Sequence, residues 1–263
     1  MGAPPRRVFD VIVQFVNGLE TMKRAFALVL VAAAASASCS DEAPPGQTTE
    51  TPMERMMSEI QMDARRTASY TGIDLIGDAV VGAMHATLRE EFVLPRNRSL
   101  AYANHPLPIG HGQTISQPFI VAIMTEVLNV EPHHRILEIG TGSGYQAAVL
   151  SHLAAEVYTV EIVPQLAETA TQRLQRLGYD NVFVHTGDGW YGWPDHAPFD
   201  GVIITAVSDE IPPALVEQLT DDGLLVMPLG DNDGFQELVV YSKRTGVSTP
   251  LFPVRFVPLT GDH

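Results

Sequence analysis

The segment ILEIGTGSGY, residues 136 to 145, holds the residue types best suited to chemistry. An apolar run that includes Glu138 leads into Gly140, Gly142 and Gly144, and then into what reads as a helix start. Glycines at a strand-to-helix turn let the backbone approach a ligand closely, and in open α/β sheets ligands bind at the carboxyl ends of the strands. A nucleotide-type ligand is therefore expected. A dinucleotide fingerprint needs G-x-G-x-x-G, but here the third glycine comes one residue early and Tyr145 takes the remaining place. Glu138, close to the turn, disfavours an anionic pyrophosphate and suits a sulfonium that also carries an ammonium group. That charge preference points to S-adenosylmethionine over NAD. The plain alternative for Glu138 is that it caps local backbone amides.

Two more acids stand where such a cofactor would need them. Glu161 closes the next strand run, 21 residues after Gly140, where a carboxylate can accept both ribose hydroxyls. Otherwise it is a solvated loop acid. The third run ends in HTGDGW, where Asp188 can accept a hydrogen bond from an adenine amino group or belong to an ordinary Gly-Asp-Gly turn.

Alternating elements must position these residues. Residues 135 to 139 read as a strand, 145 to 153 as a helix, 156 to 160 as a strand and 164 to 177 as a helix. Further strands are expected at 181 to 185, 199 to 205, 223 to 228, 237 to 242 and 254 to 258, with a short helix at 212 to 219. Such alternation implies a doubly wound, mainly parallel α/β sheet with helices on both faces, and the last two runs imply an antiparallel C-terminal edge. Upstream, apolar positions four apart predict two helices between Met53 and Leu94, broken near residues 70 to 72 and stopped by Pro95. Residues 101 to 118 read as irregular, and a helix resumes at 119 to 128.

Composition narrows the function classes. From residue 51 onward the chain has 12 basic and 26 acidic residues, a surface that repels phosphate backbones and argues against nucleic acid. The only cysteine is Cys39, and no histidine pair has helical ligand spacing, so no catalytic metal is expected. Residues 1 to 52 read as a leader and linker, and 53 to 263 as the catalytic domain. Within the leader, residues 22 to 39 have two positive charges, an apolar run too short for a stable transmembrane span, small residues and then Cys39. They read as a secretory signal or lipoprotein anchor, or else as an uncleaved N-terminal extension.

The stretches PIGHGQTISQPFIVAIMTEVL (108 to 128), LEIGTGSGYQAAVL (137 to 150) and GDGWYGWP (187 to 194) resemble protein-L-isoaspartate O-methyltransferases, and the resemblance covers about residues 55 to 260. It implies a Rossmann-like methyltransferase fold and methyl transfer from S-adenosylmethionine to the carboxylate of isoaspartyl residues in damaged proteins. The methyl ester would then close to a succinimide, which can reopen to aspartate. It further implies a cytoplasmic enzyme, expected to be a monomer, with Ser116 at the active site and Gln113 and Thr114 shaping the same substrate loop. The alternative for Ser116 is to cap the helix that begins near Pro118, since Ser favours that position. A nucleic-acid or small-molecule N-methyltransferase is disfavoured because the fourth strand runs into Thr205, Ala206, Val207 and Ser208 and lacks the Asn/Asp-Pro-Pro-aromatic turn common in methylation of base amino groups. An inactive, exported scaffold of the same fold is the other rival.

Overall fold

Twenty residues with Met56, Met57, Ile60 and Ala64 on one face form the first helix, α1 (Pro52–Thr71). Its start is fixed twice over: Pro52 takes the first turn, and Thr51 and Glu54 exchange side-chain and backbone bonds in a capping box. Gly72, in a left-handed conformation, ends it where the sequence predicted the break. The protein is described from a computed structural model covering residues 50 to 232 and 234 to 262. Residues 1 to 49 of the proposed leader and linker, including the signal stretch and Cys39, lie outside the described residues, whereas Thr51 and Pro52, read as linker, cap and open α1. Among these residues no helix is long and apolar enough to cross a membrane.

The second helix, α2 (Asp78–Ala86), stops eight residues short of the expected Leu94. Thr87 turns extended, Leu88 is left exposed, and a single 3-10 turn at residues 89 to 91 buries Arg89 instead. Burying Arg89 and Phe92 takes precedence over the four-residue spacing that made Leu88 look like a helix position. The stretch expected to be irregular also holds structure. Leu107–Gly110 (β1) and Gln113–Ile115 (β2) pair as an antiparallel hairpin whose turn uses positive φ at Gly110, His111 and Gly112. Helix α3 (Pro118–Leu128) follows directly.

The sheet comprises β3 (Arg135–Ile139), β4 (Glu156–Glu161), β5 (Val182–Thr186), β6 (Phe199–Ile204), β7 (Leu219–Gly230), β8 (Gln236–Ser242) and β9 (Val247–Pro253), in the order β5-β4-β3-β6-β7-β8-β9. Strands β5 through β7 in that order pair in parallel, and β8 and β9 add the antiparallel edge. The edge is right in kind, but its last strand is 247 to 253 and not 254 to 258. Two prolines and four exposed positions at its start hid it from an apolar-run reading.

Helices cover the two faces unevenly. Ile136, Val157, Ile203 and Val226 share a core with α3, α4 (Tyr145–Ser151) and α5 (Pro164–Leu177). On the other face Leu137, Val160, Val202 and Leu225 pack with Leu215 of the short α6 (Pro213–Glu217) and with the side chains of Trp193 and Ala197. The strand order reverses between β3 and β6, and the crevice at their carboxyl ends is where an open sheet binds ligands.

Candidate active site

The turn after β3 is built around two glycines. Gly140 has φ 96 and Gly142 φ 52, conformations that side chains avoid. Thr205, just past β6, donates its hydroxyl to the carbonyls of Ile139 at 3.0 Å and Gly140 at 2.9 Å. A Cβ on Gly140 would overlap that hydroxyl. A Cβ on Gly142 would stand 3.3 Å from Cδ1 of Ile109, so the β1–β2 hairpin lies against the turn. Gly144 precedes α4 and packs on Leu174.

Glu138 is fully buried at the end of β3. Its Oε2 accepts the Thr159 hydroxyl at 2.5 Å, and Thr159 accepts in turn from Thr141 at 2.6 Å, because its one proton is already donated. Oε1 has no partner. Burial pushes this carboxyl up to about 8, with the Thr159 bond opposing the shift and the Glu161 charge adding to it. Glu138 therefore does not cap backbone amides; Glu161 does. Glu161 is 5% exposed, which corrects the solvated-loop alternative, and it accepts from the amides of Gly142 at 2.7 Å and Val163 at 3.0 Å.

Asp188 follows β5. It accepts from the Trp190 amide at 3.0 Å through one oxygen and from the Asp262 amide at 3.1 Å through the other, so the chain's last described residues lie on it. The carboxyl ends of β5, β4 and β3, three adjacent strands, thus carry Asp188, Glu161 and Glu138 in one row.

Ser116 lies half-buried between β2 and α3. The capping alternative is corrected here: Gln117 takes the cap position with no side-chain bond of its own, and the amide of Phe119 is satisfied by Oδ1 of Asn104 at 3.0 Å. The Ser116 hydroxyl is therefore not spent on the helix. Gln113 and Thr114 lie in β2, Gln113 half-buried and Thr114 exposed. A cavity of about 510 Å³, lined by Trp190, Val207, Ser208, Asp209, Glu210 and Asp231, opens beyond β6 and β7.

In the sequence Thr205 stands only as the end of the fourth strand, with no pointer to its bonds to the glycine turn, nor to Ile109, Asn104 or Arg89. A small hydroxyl residue closing an apolar strand was the only available signal for Thr205, and nothing local marked the other three. Glu131, His133 and His134 bring ligand-type atoms within 4.8 Å of one another, but at the exposed turn before β3, at the opposite edge of the sheet from the glycine turn.

Residues 71–263 match the family described as protein-L-isoaspartate(D-aspartate) O-methyltransferase. The chain belongs to this family. Relatives carrying the family name include protein-L-isoaspartate O-methyltransferase 2 of Syntrophobacter fumaroxidans, 50% identical over 80% of this chain and 86% of its own. The protein of the same name from Polaromonas sp. is 52% identical over 79% of this chain and its full length. A solved protein-L-isoaspartate O-methyltransferase superposes with a TM-score of 0.70 at 28% identity, covering 80% of this chain and 66% of that one. The fold is also that of a putative family member from Plasmodium falciparum in complex with S-adenosyl-L-homocysteine, with a TM-score of 0.65 at 24% identity over 78% of this chain and 98% of that one.

Proposed function

We propose that this chain transfers the methyl group of S-adenosylmethionine to the carboxylate of L-isoaspartyl residues in damaged proteins and peptides. The reading rests on the closeness of Ile109 to Gly142, where an added Cβ would stand 3.3 Å from Cδ1 of Ile109, so the hairpin leading into Ser116 lies against the glycine turn. Donor loop and acceptor loop are thereby neighbours.

The residues suit the donor. Glu138 offers a buried carboxylate oxygen without a partner, complementary to the positively charged amino-acid end. Glu161 serves the ribose hydroxyls and Asp188 the adenine amino group, since a carboxylate oxygen that already accepts one bond can accept another. Gly140, Gly142 and Gly144 shape the turn beneath. When bound, S-adenosylmethionine supplies an electrophilic methyl on a sulfonium.

The acceptor needs no general base, because a carboxylate with a pKa of about 4 is ionised at neutral pH. What remains is orientation, which can contribute about 7–11 kcal/mol when reacting atoms are held at about 3–3.5 Å. Ser116 donates its hydroxyl to the acceptor carboxylate, with Gln113 and Thr114 forming the rest of the loop. The peptide flanks extend toward the cavity beyond β6, whose acidic wall is a poor seat for the anion itself. The direct test compares methyl transfer to an isoaspartyl peptide and its aspartyl twin: labelling of the isoaspartyl form alone is expected, and equal or absent labelling of both refutes the reading.

A second reading, an exported and inactive member of the family, draws on residues 22 to 39, since the donor is a cytosolic metabolite. Calorimetry with S-adenosylmethionine bears on the two: no detectable binding favours the inactive scaffold.

A further inference from the structure

Arg89 is 0% exposed, and among the described residues no carboxylate pairs with it. Its neighbours Glu90 and Glu91 pair with Arg98, and Glu91 also with Arg176. The Arg89 guanidinium reaches carbonyls instead: Nε donates to Ala101 at 2.9 Å and Nη2 to Ser116 at 2.6 Å. Those two carbonyls flank the β1–β2 hairpin, one before it and one after it. The same cation lies 4.7 Å from the ring centroid of Tyr145, the first residue of the helix after the glycine turn. Phe92 packs edge-on against that ring at 5.5 Å.

Burying a charge costs several kcal/mol, and a well-packed apolar residue of similar volume commonly does the scaffolding as well or better. Nη1 of Arg89 and the hydroxyl of Tyr145, both buried and with no other partner among the described residues, interact with one another, so the cation is tied to the first residue of the glycine-turn helix by its polar edge as well. What arginine adds is a planar fork with fixed donor directions and a face that stacks on an aromatic ring. Here the fork holds the end of the hairpin at Ser116 and the segment that leads into it at Ala101, and the face rests on the donor-side helix. One side chain therefore touches both halves of the site.

Given the methyl transfer proposed above, we infer that Arg89 is a positioning residue: it fixes the Ser116 loop against the glycine-turn helix and so sets the approach of acceptor to donor. It touches neither reactant. Its loss should misplace Ser116 while leaving the donor site intact.

The test uses Arg89→Met and Arg89→Lys in the full chain, with four readouts: backbone hydrogen exchange over residues 113 to 117, affinity for S-adenosylhomocysteine, Tm, and kcat on an isoaspartyl peptide. Arg89→Met should show exchange at least tenfold faster in that segment, affinity within threefold of the parent, Tm within a few degrees and kcat at least tenfold lower. Arg89→Lys, which keeps the charge but reaches one carbonyl at most, should recover only part of the turnover. Exchange and turnover both within twofold of the parent in Arg89→Met would overturn the inference. So would affinity and turnover falling together, or failure of both variants to fold, since either outcome makes Arg89 plain scaffold. Failure of the functional reading shows separately, as an unmodified parent chain that does not label the peptide, and the exchange readout still decides the placement of the loop.

Discussion

Thr205 donates one hydroxyl to two successive carbonyls, those of Ile139 and Gly140, and in doing so occupies the space a side chain on Gly140 would need. The glycine there is fixed by the protein's own packing as well as by any ligand. Gly140→Ala should cost about 1–3 kcal/mol through backbone strain alone, lower Tm, and weaken S-adenosylhomocysteine binding at least tenfold. Thr205→Ala in the same chain should recover part of the Tm by removing the overlap. Thermal melts and calorimetry on the single and double variants check this, and a double variant no better than Gly140→Ala would place the strain elsewhere.

Glu138 carries a sign that can be read with pH. Its folded carboxyl is raised from 4.5 to about 8 by burial, so between those values the folded chain holds a proton that the unfolded chain has lost. Its stabilising contribution is full below 4.5 and disappears as pH rises through about 8. Glu138→Gln cannot ionise, so the Tm difference between variant and parent should move in the variant's favour from pH 5 to pH 8. A flat difference across that range would mean Glu138 is ionised throughout in the folded chain. A cationic donor bound beside it favours the ionised form. Binding of S-adenosylmethionine near pH 7 should therefore release protons, visible as a buffer-dependent calorimetric heat that Glu138→Gln abolishes.

Ser116 supplies a hydroxyl not committed to the helix that follows it. A hydrogen bond to a charged group is worth about 1.5–3 kcal/mol, so Ser116→Ala should lower kcat by about tenfold to a hundredfold. Affinity for S-adenosylhomocysteine should change by less than about threefold. Steady-state kinetics paired with calorimetry decide it, and a loss of cofactor affinity equal to the loss of turnover would move Ser116 out of the acceptor side.

The parallel sheet was legible because its strands are short apolar runs separated by helical periods, and β3, from Arg135 to Ile139, falls where the sequence puts it. The row of Glu138, Glu161 and Asp188 was legible for the same reason: acids and small turns at strand ends are local signals. What escaped was set by contacts distant in sequence. Arg89 bonds to Ser116 across 27 positions and Thr205 to Gly140 across 65, and neither pair leaves a local pattern. The hairpin at residues 107 to 115 hid behind its turn glycines, and β9 behind Pro250 and Pro253. The Ser116 cap failed because Asn104 fills that role from the preceding loop.

On the proposed function, donor and acceptor meet between the glycine turn and Ser116. A crystal structure of the full chain with S-adenosylhomocysteine and an isoaspartyl peptide tests it most directly. The adenosyl group should lie along Glu138, Glu161 and Asp188, and the isoaspartyl carboxylate within hydrogen-bond reach of Ser116 Oγ, facing the cofactor sulfur. A peptide carboxylate seated away from Ser116, or an adenosyl group bound anywhere other than the carboxyl ends of β3 to β5, would contradict it.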